Sequence, residues 1–482
     1  MPLFPTITET DLINEKVRLN SAVSVSEILR DLIDKDVISE GKKWMQAGTK
    51  YYAGENDISK RIQTYTWDGR KVQDNDVPNV KKNHGFLTIL IDQKVGYVAG
   101  NPVIVASEDD NFQTVLDEHL GKRFQRTLND LLTGTSQKGR EFLHPYIDDE
   151  GNFAYRVLPA EQFILIYDTR FEDELKYALR YYPMTEKTGL GERTYYKAEW
   201  WDAEKITFFT QGKNDEFELD PGEFPNPRYH FYRQNEAISQ EETGEGWGRI
   251  PLIDFKNNRD CVPDVKRVKA LIDDYDLTAS DFSNNLLSLQ DALLVLRGYA
   301  GTDPEELRSA IKVRKVVQVD EDGGGVELVS MEIPIEAREA NMNRLEQDIF
   351  TFGMGVNFKT DKFGANPSGV ALKFLYGNLD IKADKLISET RTAIEQLVWF
   401  IAAYEQVANQ ATYDPEQVEV IFNKATIINE AELINNLRAS VGLISDETII
   451  ENHPLVADKE QEIERMKAQR ERDASEVTLG EV

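Results

Sequence analysis

The sequence predicts an α+β fold, mainly helical and built in several parts, and three observations carry that expectation. Apolar residues recur at helical spacing over two very long stretches, about 264–289 and 370–409. Between about 138 and 235, aromatic and polar residues alternate instead, with the period of strands. A strand-rich module at 291–334 interrupts an otherwise helical second half. A chain of 482 residues, at about 150 per domain, has room for two to four such parts.

The first fifty residues read as helix, because Ile28, Leu29, Leu32, Ile33 and Val37 repeat after Ser26 at helical spacing. Residues 84–105 are apolar with Gly and Pro punctuation. A buried helix through Ile91 should therefore end in a turn at Ala99-Gly100-Asn101-Pro102. Across 112–133, Phe112, Val115, Leu116, Leu120, Phe124, Leu128 and Leu131 form one helical stripe. TYYKAEWWD and EKITFFTQG alternate as strands, and Asp149-Glu150-Gly151-Asn152 marks a hairpin. Glu236 to Gly246 is acidic and lacks apolar periodicity, so it should be an exposed loop and a domain boundary.

From Asp264 to about Leu289 one amphipathic helix of about 40 Å carries Val265, Val268, Leu271, Ile272, Tyr275, Leu277 and Phe282. The module 291–334 follows. ALLVLRG is a strand, Asp303-Pro304-Glu305-Glu306 opens a short helix, and VRKVVQV and GVELVSMEI are strands joined by an acidic glycine turn. Ile335 to Phe352 is a further helix. Residues 353–369 hold glycines at 353, 355, 364 and 369, one proline and no period, which makes a long loop. Loops beyond about 12–15 residues are usually functional or disordered, and glycine gives this one freedom to move. Residues 370–409 predict a helix of about 60 Å whose buried side includes Ala371, Phe374, Leu375, Leu379, Leu386, Ile394, Leu397, Val398, Ile401 and Tyr404. Two short helices fit 426–456, capped by Asn429 with Glu432 and by Ser445, and the last 25 residues are charged and frayed at the end. Helices this long overrun a globule whose radius of gyration is about 23 Å, so the chain is elongated or packs against copies of itself.

Composition narrows the function classes. Forty per cent hydrophobic and 29% charged residues describe a globular chain. One cysteine, Cys261, excludes a disulfide framework and a Cys-based zinc site, and fits an intracellular origin. The longest apolar run, Leu397 to Tyr404, has eight residues against the ~20 of a membrane span, and the start MPLFPTITETD shows no secretory signal. The net charge of −29 argues against a surface that grips nucleic acid tightly.

Catalytic motifs are scarce. Gly134 to Glu141 has the glycine spacing of a phosphate loop, but Arg140 and Glu141 stand where Lys and Ser/Thr are needed, so a polar turn after a helix is the better reading. Gly244 to Gly248 lacks the helix that a dinucleotide turn requires. The five histidines are scattered, and Asp320-Glu321-Asp322-Gly323 lacks the alternating ligands of a calcium loop. Cys261 precedes a helix start, yet with no neighbouring histidine it reads as an inert thiol. A carboxylate pair about 5–10 Å apart, as in a carbohydrate-active enzyme, could hide among 85 acids and is the alternative of a different class. No catalytic residue, metal site or cofactor is assigned.

The order of parts is the informative signal. It resembles the portal proteins of tailed bacteriophages, of the type found in long-tailed phages of Gram-positive hosts. Local phrases carry the likeness too: KYYAGENDISKR (50–61), KVGYVAGNPV (94–103), GRIPLIDFKNN (248–258), FGMGVNFKTDKFGANPSGVALKFLYGNLDIKADK (352–385) and ISDETIIENHPLVADKEQEIERM (444–466). The resemblance implies a portal fold assembled as a ring of about twelve subunits at one capsid vertex. It divides the chain into a wing (1–262), stem helices (263–290 and 335–353), a clip (291–334), a tunnel loop (354–369), a long wing helix (370–410) and a helical crown with a charged tail (411–482). It also implies double-stranded DNA in the channel and, as partners, terminase, a head-completion adaptor, scaffold and major capsid proteins, with no membrane. Assembly would take place in the host cytoplasm and the product would reside in the virion. Asn357, Lys359, Lys362 and Phe363 would face the DNA, and Arg297, Arg314 and Lys315 would serve clip docking and inter-subunit pairing.

Overall fold

The computed structural model describes residues 25–67, 69–74, 77–168, 175–189, 191–212, 214–234, 242–288, 293–297, 325–329, 334–359, 369–425 and 430–451, and, between 453 and 469, all but 455, 457, 458 and 460. Its principal helices are α1 (Val25–Val37), α2 (Glu40–Tyr52), α3 (Phe86–Ala99), α4 (Asp110–Lys138), α5 (Val265–Ser288), α6 (Ile335–Gly353), α7 (Gly369–Ala408), α8 (Glu430–Ala439) and α9 (Asp446–Glu451). The fold is mixed helix and strand, as expected.

The largest core forms where apolar stripes of separate helices meet. Leu90 and Ile91 of α3, Leu128 and Leu131 of α4, Val268 and Ile272 of α5, and Leu397 and Ile401 of α7 are all buried in it. α4 begins where the Asp109 carboxylate accepts from the amides of Asn111 and Phe112. It runs longer than its stripe suggested and kinks at Gly121 (φ 46°), a left-handed angle that glycine tolerates. The polar turn expected at Gly134 to Glu141 is a correction: α4 continues to Lys138, only Gly139 turns (φ 91°), and Arg140 already opens the strand Arg140–Ile147.

A second core lies between α1 and an antiparallel sheet, where Leu29, Leu32 and Ile33 meet Leu179, Ala198 and Phe209. That sheet runs in the order Phe217–Leu219, Lys205–Gln211, Gly191–Trp201, Leu175–Thr188, Phe163–Tyr167. The expected hairpin after Ile147 is present: Asp148 accepts the amide of Asn152, and the strands on either side pair from Phe142 with Leu158 to Ile147 with Phe153.

Three further expectations are corrected. Part of the exposed loop expected at 236–246 is the strand Glu242–Glu245, paired with Phe231–Gln234. It lacks apolar alternation because its stability comes from the ladder and from Gly244, which leaves room for the Tyr229 ring. Leu277 and Phe374, placed on buried stripes, are 41% and 82% exposed. A helical stripe marks what can be covered, and among the described residues nothing covers most of either side chain. Finally, Ile104–Ser107 and Val418–Ile421 pair as two strands that periodicity did not show, joining the turn after α3 to the chain after α7. Ser445 does cap α9, its hydroxyl accepting from the Thr448 amide, while Asn429 lies outside the described residues.

Candidate functional site at the root of the 354–369 loop

The loop after α6 starts under tight control. Met354 adopts a left-handed angle (φ 56°), and its amide reaches back to the carbonyls of Phe350 and Thr351. That motif satisfies carbonyls a helix end leaves open. Gly353 and Gly355 both lie against the Leu90 side chain of α3, so a side chain at either would overlap it. One turn along α3, the Gln93 amide grips Val356 by both backbone groups, donating to its carbonyl (2.9 Å) and accepting from its N–H (3.0 Å). Val356 is 1% exposed. The loop root is therefore packed and hydrogen-bonded, and Gly355 serves close approach rather than motion.

Beneath it lies a buried charge cluster. Lys94 of α3 and Lys382 of α7 each place an ammonium 2.8 Å from the same Oδ2 of Asp264, the residue before α5. Asn257 donates to the other Asp264 oxygen at 2.9 Å and accepts from Lys94 at 2.7 Å. Lys382 also donates to the Gly353 carbonyl at 2.8 Å. Burial opposes ionisation of Asp264, but the two ammoniums outweigh it and hold the carboxyl well below its usual range. Burial pulls Lys94 down to about 8, against the attraction of Asp264. Two cations and one anion thus tie together α3, the start of α5, the end of α6 and the middle of α7. A lone Lys94 inside the apolar run of α3, and an acid at the head of α5, were the visible signals. Their convergence is tertiary.

α5 is fastened a second time. Its polar side chains at four-residue intervals, Asp276, Ser280 and Asn284, accept from the amides of His84, Lys82 and Val80 at 3.1, 2.9 and 2.7 Å. A helix rises about 6 Å in four residues and an extended chain about 6.6 Å in two, so the stripe serves as a strand partner for residues 80–84. The His84 ring also meets Asp276, at 2.7 Å, and Asn56 donates to the same carboxylate.

Of the residues expected to face DNA, Asn357 and Lys359 are described. The Asn357 carboxamide accepts from the Lys359 amide (3.0 Å) and donates to Glu346 of α6. The Lys359 side chain is 80% exposed and its ammonium lies 3.3 Å from Glu346. Lys362 and Phe363 lie outside the described residues. In the 291–334 module, Arg297 ends the strand Leu293–Arg297, which pairs antiparallel with Gly325–Val329, opposite Gly325 itself. Arg314 and Lys315 lie outside the described residues.

The residues weighed for catalysis are engaged elsewhere. His144 is pushed down to about 3 and His230 to about 4, by burial in both cases. His119 meets Glu405 at 3.0 Å. Burial raises the Cys261 thiol, which accepts from the Arg140 guanidinium at 2.8 Å. Among the described residues no cluster of His, Cys, Asp or Glu could hold a metal ion, and no helix is long and apolar enough to cross a membrane.

Known proteins resemble this chain over nearly its whole length. A family model described as phage portal protein, SPP1 Gp6-like, matches residues 35–476. The portal protein of Bacillus phage SPP1 is 31% identical over 95% of this chain and 90% of its own length. The portal protein of Clostridium phage phiCD119 is 28% identical, covering 90% of this chain and 94% of that one. A chain in the solved neck of an empty GTA particle covers 85% of this chain and 92% of its own at 14% identity and a TM-score of 0.45, a likeness too slight to carry an argument.

Proposed function

The chain belongs to the SPP1 Gp6-like family of phage portal proteins, and from that premise we propose that about twelve copies close into a ring at one capsid vertex. It is a virion component of a family that is structural rather than catalytic. The ring nucleates procapsid assembly, docks the terminase motor and the head-completion adaptor, and passes double-stranded DNA inward and later outward. In this reading the wing is 1–262 with the long helix 370–410, the stem is 263–290 with 335–353, the clip is 291–334, the tunnel loop is 354–369 and the crown is 411–482.

One observation supports the ring beyond membership of the family. Apolar side chains stand bare along two long helices: Leu277, Leu286 and Leu287 on α5, and Phe374 and Ile381 on α7. Heterologous contacts between identical copies cover such faces and close into rings when the rotation allows. Charge supports the conduit. Twelve chains of net −29 carry about −348 in one ring, which repels a duplex except where bases are concentrated, so DNA slides rather than sticks. Electron microscopy and light scattering of the purified protein test the proposal. Closed rings near 660 kDa with an axial hole are expected from a 55.1 kDa chain. A monodisperse 55.1 kDa particle at micromolar concentration would overturn it.

A further inference from the structure

The root of the 354–369 segment and the chain after α7 are fastened to the same two helices. On one side, residues 353–356 bridge α3 and α7: Gln93 of α3 holds both backbone groups of Val356, and Lys382 of α7 holds the Gly353 carbonyl. On the other side, residues 423–425 bridge the same pair. The Ala425 amide donates to the Tyr97 carbonyl at 2.9 Å, and the Asn101 carboxamide donates to the Asn423 carbonyl at 3.1 Å. Tyr97 lies in the last turn of α3, where a helix leaves its carbonyls without an intrahelical partner. The Lys424 ammonium meets Asp380 of α7 at 2.6 Å and Asp384 at 2.5 Å. The Tyr97 hydroxyl donates to the same Asp380 oxygen at 3.0 Å, which ties α3 to α7 between the two bridges.

Spacing makes the bridges interdependent. Gln93 and Tyr97 are one turn apart, about 6 Å along α3, and Asp380 to Asp384 span the same length of α7. Lys382 is two residues from each acid and so on the far side of the helix, which is gripped from both sides at one level. Leu90 and Val98 of α3 and Leu379 and Ala383 of α7 are buried in one core, so the joint is a packed unit that transmits strain. The Asp380 and Asp384 side chains are 44% and 59% exposed, and pairs this solvated hold weakly by themselves. A second bridge across the same joint changes that. The first has already ordered α3 against α7, which raises the effective concentration of the second.

We infer that α3 and residues 380–384 of α7 form one latch with two ends, so that release of the chain at 423–425 loosens the root of the 354–369 segment, and the reverse. The inference rests on the portal reading only for what the two ends lead to, the tunnel loop and the crown. The test is amide hydrogen exchange of the full chain, read by mass spectrometry at Val356 and Ala425, with the strands Leu175–Thr188 and Lys205–Gln211 as controls. Lys424→Met cuts one end of the latch and Gln93→Ala the other. Lys424→Met should speed exchange at Val356, and Gln93→Ala should speed it at Ala425, each about fivefold or more, while the control strands keep wild-type rates. Lys424→Arg keeps a cation between the two carboxylates and should stay within about twofold of wild type at Val356. Faster exchange only at the substituted end, or coupling in one direction alone, would overturn the latch, since linkage acts both ways. So would equal acceleration in the control strands, which reports loosening of the whole chain, or equal effects of Lys424→Arg and Lys424→Met, which report lost packing. Light scattering gives the assembly state separately, so a failed latch leaves the ring standing and a failed ring leaves the latch standing.

Discussion

The ammonium of Lys382 lies 2.8 Å from the carbonyl oxygen of Gly353, so one side chain of the long helix α7 fastens the last residue of α6, where the 354–369 segment begins. The same ammonium shares Asp264 with Lys94. The members of this cluster are not equivalent. Asp264→Asn leaves two buried cations facing each other without an anion and should cost about 3–5 kcal/mol. Lys382→Met leaves a balanced Lys94–Asp264 pair but removes both the Lys382–Asp264 contact and the hydrogen bond to Gly353, so a smaller cost of about 1–3 kcal/mol is expected. Urea unfolding of both variants checks the order, and equal costs would mean the cluster does not act as one charge network.

The cluster also sets two pH windows. Asp264 has a folded pKa below its ordinary 3.8, so it stabilises the fold above that value and the contribution is lost as pH falls through 3.8 towards the folded pKa. Lys94 is held down to about 8 from 10.5. Between those values the unfolded chain binds the proton and the folded chain does not, so stability from this group rises with pH. Urea midpoints of wild type should therefore gain on those of Lys94→Met between about pH 8 and 10.5 and lose on those of Asp264→Asn below about pH 4. Parallel curves across both windows would refute the assignment.

Close approach at the loop root gives a steric prediction. Gly355→Ala would drive a methyl group into Leu90 and towards the Gln93 carboxamide, which already holds Val356. Overpacking of this kind costs about 1–3 kcal/mol. Pairing it with Leu90→Ala should recover part of the loss, because the second change makes room for the first. Thermal melts of the two single variants and the double variant give the coupling, and strict additivity would mean the two sites do not touch.

How much of this was legible follows from what each signal encodes. The long helices α5 and α7 were readable because a 3.6-residue apolar period survives whatever the helix packs against. Leu277 and Phe374 were placed inward for the same reason, since periodicity reports a face and not its partner. The strand Glu242–Glu245 was invisible because its ladder needs backbone groups and a bare Gly244, neither of which alternates. Gln93 was unreadable as a clamp, because nothing local distinguishes it from a surface glutamine. Its target, Val356, lies 263 residues away. The glycines of the 353–369 stretch suggested mobility, yet Gly355 is there to let two elements touch.

The bare faces of α7 predict where neighbouring copies meet. Phe374 and Ile381, seven residues apart and so on one side of the helix, are 82% and 54% exposed. Both side chains are more than half exposed, so replacing both with Ser should change folding stability by about 1 kcal/mol or less. Ring yield should fall sharply. Sedimentation velocity together with melting curves separates the two effects, and wild-type ring yield from the double variant would move the interface elsewhere.

The last prediction concerns Lys359 and Lys362, which the proposed function turns towards DNA. Lys359 is 80% exposed and its ammonium lies 3.3 Å from Glu346, whose own side chain is only 13% exposed, so the lysine end of the pair is free to swing from Glu346 to a passing phosphate. With Lys362, twelve subunits would present about 24 positive charges to the channel. B-DNA carries one charge per ~1.7 Å of axis, so a belt ~7 Å tall faces only about four phosphates at a time. Contacts are then few, exchangeable and sensitive to salt, which suits sliding better than gripping. Lys359→Ala with Lys362→Ala should still form rings but lose packaged DNA or package it more slowly, with a weaker salt dependence than wild type. Glu346→Gln should do the opposite, releasing Lys359 from its partner and slowing DNA exit at low salt. Packaging density and DNA retention equal to wild type across salt concentrations, in both variants, would leave these lysines as solvated bystanders.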